Sequence, residues 1–393
     1  MATAKGSQSP VGTILFSHGG FSYALLRELE MTDHGETVLL VQQRSHAGPL
    51  GNYIVRSLPP TSPRFEPKAL AKIRARLEEE ARLACYLDHP NIARISGRAE
   101  AQGVLYVLTE RIVGMSLNTL VTASMMRGAC LSAAFALYVG AELASALHHA
   151  HTRTDEKGRA LGIIHRDVNP ARVYFRANGR IVLADFARAR SLLPDRAATS
   201  LPRPQGDGYY AAPEALLGEP LDARSDLFAL GLVLLELVTW RGLYSTANAH
   251  PEDLEDALTP EVRPQVVAAH TAATLAKLPP EVDDYILRAA TYTAQEVEEL
   301  TEEIFPPLRS ILRTLLRRSP EERYPSAQAL EADLRKGLTA LGAPYGAVEA
   351  VAEVRRISAQ ARMHKDVGGP TSQGSAARKL SADHVITTQG GSA

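Results

Sequence analysis

The stretch 161–190, LGIIHRDVNPARVYFRANGRIVLADFARAR, constrains this chain more than any other. It alternates short apolar runs with polar breaks. Ile163 and Ile164 lead into a polar loop, His165-Arg166-Asp167-Val168-Asn169-Pro170-Ala171-Arg172, and Val173-Tyr174-Phe175 leads out of it. Asn178-Gly179 is a strong two-residue hairpin signal, because both residues tolerate the positive φ that a tight turn demands. The run 181–184 is apolar enough for a short buried strand, and it ends at Asp185-Phe186-Ala187.

The totals narrow the context. At 393 residues the chain is long enough for one two-lobed domain with extensions, or for two domains. Charged residues are 22% and the net charge is −1, so no overall field favours nucleic acid or an anionic membrane. The two cysteines, Cys85 and Cys130, stand apart in apolar patterns, which points to buried thiols in a reducing compartment. The first residues lack the basic-then-apolar pattern of a signal peptide. The best apolar run, 227–238, contains Glu236 and is short for a membrane span. A soluble, cytoplasmic protein with no membrane span is expected.

Along the chain, 1–11 reads as a flexible leader. Strand patterns fall at 13–27 (interrupted by Ser17-His18-Gly19-Gly20-Phe21-Ser22), 37–41, 53–55 and 104–109. One helical period runs over 68–87, with Leu70, Ile73, Leu77, Ala81 and Ala84 on one face. After 111 helices dominate: 131–151, 222–238, 281–300, 306–318 and 326–341, with an amphipathic segment of undefined shape over 250–280. The stretch 191–208 has the Pro, Arg and Ser content of a loop. From about 362 the composition turns to Gly, Ser, Thr and Gln, too apolar-poor to offset chain entropy, so the tail is expected to be disordered. The fold class expected is α+β: a β-rich first lobe over about 12–110, a larger α-helical lobe over about 111–341, and a C-terminal extension over 342–393.

Several separated motifs, in order, resemble those of protein kinases, and of bacterial Hanks-type Ser/Thr kinases in particular. They are Gly19-Gly20, Glu80-Ala81, His89-Pro90-Asn91-Ile92, Glu110 with Gly114-Met115-Ser116-Leu117, and His165-Arg166-Asp167. Asp185-Phe186, Ala212-Pro213-Glu214, Asp226 with Gly231, and Arg323 complete the set. The resemblance covers roughly 12–341. It implies a two-lobed fold, ATP and Mg2+ as cofactors, and protein substrates or partners. Phosphoryl transfer needs positioning, cations on the phosphates and a carboxylate that accepts the hydroxyl proton. The resemblance gives the last role to Asp167 and metal binding to Asp185. It places Gly19, Gly20, Glu80 and Glu110 in the nucleotide site. Glu214 with Arg323 matches the family's buried ion pair, and Asp226 matches the acid that holds the H-R-D backbone.

The departures lie where phosphate and metal would be touched. Arg172 replaces an Asn that ligates the second metal, and a guanidinium offers donors but no lone pair. Either the metal site has decayed, with Arg172 turned to solvent or to Asp185, or Arg172 stands near the phosphates in place of a metal. Asn169 replaces the usual Lys. Ala187 replaces a Gly, with a left-handed backbone there costing roughly 1–2 kcal/mol. No lysine occurs between Lys5 and Lys68, so the strand-lysine slot falls to Gln42 or Arg56; the phrase 53–59 resembles the family's V-A-L-K-R-L and favours Arg56. The glycine loop keeps Gly19 but has serine at two family positions. Asp207 replaces a Thr, either repelling Asp167 or mimicking a phosphate opposite Arg166.

These substitutions favour a kinase-like signalling protein with lost or weak phosphotransfer, acting as a pseudokinase scaffold or regulator. The alternative is an active Ser/Thr kinase using Asp167 and Asp185. A small-molecule phosphotransferase is disfavoured by Ala212-Pro213-Glu214 and Asp226. Thr199, Ser200 and Ser358 (after Arg355-Arg356-Ile357) are candidate phosphosites, and the acidic run 296–303 is expected to be a solvated helix face.

Overall fold

The structure, a computed structural model, describes residues 10–32, 35–193, 206–245 and 251–367. Most of the expected leader, Thr199 and Ser200, and 368–393 of the expected disordered tail lie outside the described residues. The chain divides into two compact units. The first takes its described residues from 10–88 and 93–112, the second from 89–92, 113–193 and 206 onward.

The first unit is a six-stranded antiparallel sheet with one helix. Its strands are β1 (Ile14–His18), β2 (Phe21–Met31), β3 (Thr37–Ser45), β4 (Gly48–Leu58), β5 (Ile95–Ala101) and β6 (Val104–Glu110), in the order β1-β2-β3-β4-β6-β5. Helix α1 (Pro67–Leu83) begins with proline at its first turn, where the missing N–H costs nothing. Alternation along β6 builds two cores. Leu105 and Val107 pack with Leu58 and with Leu70 and Leu77 of α1. Tyr106 and Leu108 pack with Phe16, Tyr23, Leu39 and Val55 on the other face.

The expected helix over 68–87 stops at Leu83 and tightens into a short 3-10 turn, Ala84–Tyr86. Its buried face is Leu70, Leu77, Glu80 and Leu83, with Ala81 and Ala84 only half-buried. Cys85 falls on that turn and is exposed, and Cys130 is half-buried in the link between two helices, so neither is the buried thiol the pattern suggested.

The second unit is mainly helical, as expected, around a small antiparallel sheet of β7 (Gly114–Ser116), β8 (Val173–Arg176) and β9 (Ile181–Leu183). Helices α2 (Leu117–Arg127) and α3 (Ala133–His151) come first, capped by the side chains of Ser116 and Ser132. Next are α4 (Pro213–Leu216) and α5 (Arg224–Thr239), the latter buried almost all round. The undefined segment 250–280 resolves into α6 (Pro251–Asp256) and α7 (Arg263–Leu275). The stretch 281–300 splits into α8 (Glu281–Thr291) and α9 (Ala294–Thr301) at a Thr293/Glu296 capping box. Glu298, Glu299, Glu302 and Glu303 of the acidic run are exposed, while Glu296 is tied to Arg288. Then follow α10 (Pro306–Leu315), α11 (Ala327–Thr339) and α12 (Ala347–Val367). No helix among the described residues is long and apolar enough to cross a membrane.

Candidate active site

In the first unit Gly19 and Gly20 form the two-residue turn between β1 and β2, closed by the pairing of His18 with Phe21. Both have positive φ, +59° and +82°, as a type I′ hairpin requires. The turn therefore accounts for both glycines by itself. Arg56, on β4, is the residue that meets Glu80 of α1: its Nη2 pairs with Glu80 Oε2. Gln42, on β3, instead accepts a hydrogen bond from Arg44 Nε at 3.0 Å.

The Arg56 fork reaches a second acid as well. Its Nη1 lies 3.9 Å from Glu36 Oε2, and Glu36 Oε1 takes Arg76 Nη2 at 2.7 Å. Charges thus alternate along Arg76, Glu36, Arg56 and Glu80, with both carboxylates buried. The guanidinium offers one Nη group to each acid, where a lysine would offer a single compact ammonium. Sequence reasoning missed Glu36 and Arg76; nothing in a short inter-strand loop marks an acid as buried. Glu110, at the end of β6, holds the start of β5: its N–H donates to Arg94 O at 2.9 Å and its Oε1 accepts from Arg94 N at 3.0 Å.

In the second unit Asp226, in the first turn of α5, organises the loop that bears Asp167. Its carboxylate accepts from the backbone N–H groups of His165 and Arg166, both at 2.8 Å, and from His151 Nε2 at 2.8 Å. Burial opposes ionisation of Asp226, but His151 and the Arg166 amide help to outweigh it and hold its carboxyl below the usual range. His165 is fully enclosed. Its Nδ1 accepts from Asp167 N at 3.2 Å and its Nε2 faces Ala184 O at 3.2 Å, with Phe186 edge-on at 4.5 Å between ring centres. Asn91, of the His89-Pro90-Asn91-Ile92 motif, donates to Ile181 O and to Glu142, both at 2.8 Å.

Asp167 is engaged on both carboxylate oxygens. Oδ1 accepts from Asn169 Nδ2 at 2.7 Å and from the backbone N–H of Asp207 at 3.1 Å. Oδ2 faces Arg172 Nε at 3.2 Å and Arg188 Nη1 at 3.5 Å. Gly206 presses on the same group, since a Cβ there would lie 2.6 Å from Asp167 Oδ1. Asp207 directs its carboxylate to Tyr209 N at 3.0 Å, capping the 3-10 turn Gly208–Tyr210.

Arg172 bridges the two acids of the opening stretch. Its Nη1 lies 3.0 Å from Asp185 Oδ2 while its Nε is on Asp167. The adjacent Asp185 carboxylate holds the guanidinium pKa above its ordinary value. Asp185 itself is left-handed, φ +66°, and its Oδ1 accepts from Ala187 N at 3.4 Å. The left-handed residue is therefore Asp185. Ala187 lies in an ordinary 3-10 turn, Phe186–Arg188, and carries no such strain.

These residues do not fit a pair of Mg2+ ions. Arg172 supplies donors where a second ion needs a lone pair, and one Asp185 oxygen already faces its guanidinium. No group of three or more His, Cys, Asp or Glu among the described residues is arranged to hold a metal. The Glu214 and Arg323 pair expected from the resemblance is formed. Arg323 makes a bidentate pair with Glu214, Nη1 to Oε1 at 2.7 Å and Nη2 to Oε2 at 2.8 Å, and Ser225 Oγ adds a third bond at 2.7 Å.

The family model described as "Protein kinase domain" matches residues 65–334. The chain is 30% identical over 281 residues to the tyrosine-protein kinase MasK of Myxococcus xanthus, covering 68% of this chain and 37% of that one. It is 36% identical over 212 residues to the serine/threonine-protein kinase PknJ of Mycobacterium tuberculosis, covering 51% and 33%. It thus spans about a third of the length of these two relatives. Among solved structures, the kinase domain of Mycobacterium tuberculosis PknI superposes with a TM-score of 0.51 at 21% identity, over 84% of this chain and 100% of that one. With the Asp226-anchored loop, the Glu214–Arg323 pair and the family match over 65–334 together, the chain belongs to the protein kinase domain family, with bacterial Hanks-type Ser/Thr kinases among its relatives.

Proposed function

We propose that this chain is a kinase-fold signalling protein whose ATP-dependent phosphotransfer is lost or weak, and which works by binding protein partners as a scaffold or regulator. The observation that carries the reading is the engagement of Asp167. A general base must take a proton from a substrate hydroxyl within hydrogen-bond reach. Here its two oxygens already meet Asn169, the Asp207 amide, Arg172 and Arg188. A substrate hydroxyl would have to displace at least one of them.

A second reading, an active Ser/Thr kinase, draws on a different observation. Arg56 on its strand pairs with Glu80 on the helix, which supports reading Arg56 in the slot the family fills with lysine, and Asp167 and Asp185 stand at the positions of the family's two acids. One assay decides between them. Purified protein is given labelled ATP, Mg2+ or Mn2+, and generic protein substrates, beside Asp167→Asn. Label incorporation no higher than in Asp167→Asn is the expected result. Robust transfer that Asp167→Asn abolishes would establish the active kinase instead.

A further inference from the structure

We infer that the Arg172 guanidinium is a resident cation that takes the place of a divalent metal beside Asp167 and Asp185, so that the second unit receives nucleotide phosphates without Mg2+. The inference takes the family's nucleotide as ligand and is independent of whether phosphate is transferred.

Three features of the site carry it. The first is aim. The backbone of residue 172 is fixed on both sides, its N–H donating to Asn169 O at 3.0 Å and its carbonyl accepting from Ala184 N at 2.9 Å. The side chain therefore leaves a rigid point between the Asp167 loop and the strand that leads to Asp185. Its Nε and Nη1 then reach one carboxylate each.

The second is charge. Two carboxylates beside one another repel an incoming polyphosphate, and metal ions ordinarily reverse that field. Here Asp167 and Asp185 meet Arg172 and Arg188, so the cluster is formally neutral with no metal. Both of these acids thus face a guanidinium before any polyphosphate arrives. A divalent ion would meet two fixed guanidiniums and would have to strip Arg172 from Asp185 Oδ2 before binding there.

The third is donor chemistry. Arg172 has five N–H donors, and the two acids occupy only part of the fork. Arg–phosphate pairing is among the stronger charge-assisted hydrogen bonds and needs no metal. The side chain is about one-third exposed, so part of it is open to an arriving ligand.

The test uses the full chain, ATP as the probe and thermal unfolding as the readout, titrated in EDTA and again in excess Mg2+. For the natural chain the apparent dissociation constant should differ by less than about threefold between the two buffers. Arg172→Asn, which restores a metal-ligating amide, should bind ATP at least tenfold more weakly in EDTA and recover in Mg2+. Arg172→Lys, which keeps the charge, should stay closer to the natural chain and guards against misreading a folding defect. Natural chain that binds ATP only with Mg2+, Arg172→Asn that binds equally in both buffers, or no ATP shift in any buffer would each overturn the inference. Phosphate transfer by a chain that binds ATP in EDTA would overturn the functional reading above and leave this inference standing.

Discussion

At the scale of single residues, His165 shows how the loop's chemistry is tied to stability. Its Nδ1 accepts the Asp167 amide hydrogen while Nε2 faces a carbonyl, so the ring is a neutral Nε2–H tautomer. Burial pushes its pKa below the ordinary value, and the carboxylates of Asp226, Asp167 and Asp185 pull the other way without cancelling that. In the unfolded chain the ring would protonate near pH 6.5. The fold disfavours the proton, so the unfolded state binds more of them as pH drops. The contribution is fully present above about pH 6.5 and is lost as pH falls toward the depressed folded value. The melting temperature should therefore fall between pH 7 and pH 5, and His165→Asn should flatten that slope. A slope unchanged in His165→Asn would show that other groups set it. Glu36 illustrates the opposite case, a buried acid whose importance only the folded chain reveals, because its partner Arg76 stands forty positions away.

At the scale of elements, legibility followed hydrophobic pattern. The strands around β3 and β6 and the helices α3 and α5 were readable because their apolar runs leave no other solution. Strand β5 was not, since Ile-Ser-Gly-Arg-Ala-Glu-Ala carries one strong strand former and occupies the sheet edge, where a neighbour's backbone supplies the order. Helix α12 was also missed. Its inward face is Ala350, Val354 and Ile357, spaced by charged residues that mask the period. The structure gives it a specific anchor. The Glu353 carboxylate accepts from Ser132 N at 2.8 Å, Ser132 Oγ at 2.7 Å and Tyr345 Oη at 2.7 Å, at the residue that caps α3. A carboxylate at a helix N-terminus also meets the favourable end of its dipole. Ser358, read in sequence as a phosphosite, is half-buried on the same helix against Met115. Glu353→Ala should cost about 1.5–3 kcal/mol, the usual worth of hydrogen bonds to a charged group, read from a urea midpoint. Hydrogen exchange of 347–357 should rise with it; unchanged protection there would mean that apolar packing alone holds α12.

At the scale of the whole molecule, the residues that match the family's scaffold pattern are not the ones that depart from its phosphate-site pattern. The motif order made the fold readable, because Asp226, Glu214 and Arg323 keep their family types and make the contacts those types imply. The site was less readable. Arg172 left two readings open in sequence, of which the contact with Asp185 was named by the first, and the contacts of Asp167 with Arg188 and the Asp207 amide depend on loop geometry that no spacing encodes. This separation predicts two different penalties. Arg323 and Glu214 are 109 positions apart, almost wholly buried, and joined by two bonds. Arg323→Met would leave the Glu214 carboxylate buried with Ser225 but without its cation, an arrangement that costs about 3–5 kcal/mol. Losing Arg172 leaves Asp167 still bonded to Asn169 and the Asp207 amide and facing Arg188, so it should cost less, about 1 kcal/mol. Chemical denaturation of Arg323→Met and Arg172→Asn beside the natural chain measures both. A large shift for Arg323→Met with a small one for Arg172→Asn is the expected pattern. Equal shifts would mean that Arg172 is part of what holds the fold, and that its substitution for asparagine reflects stability rather than the handling of phosphate.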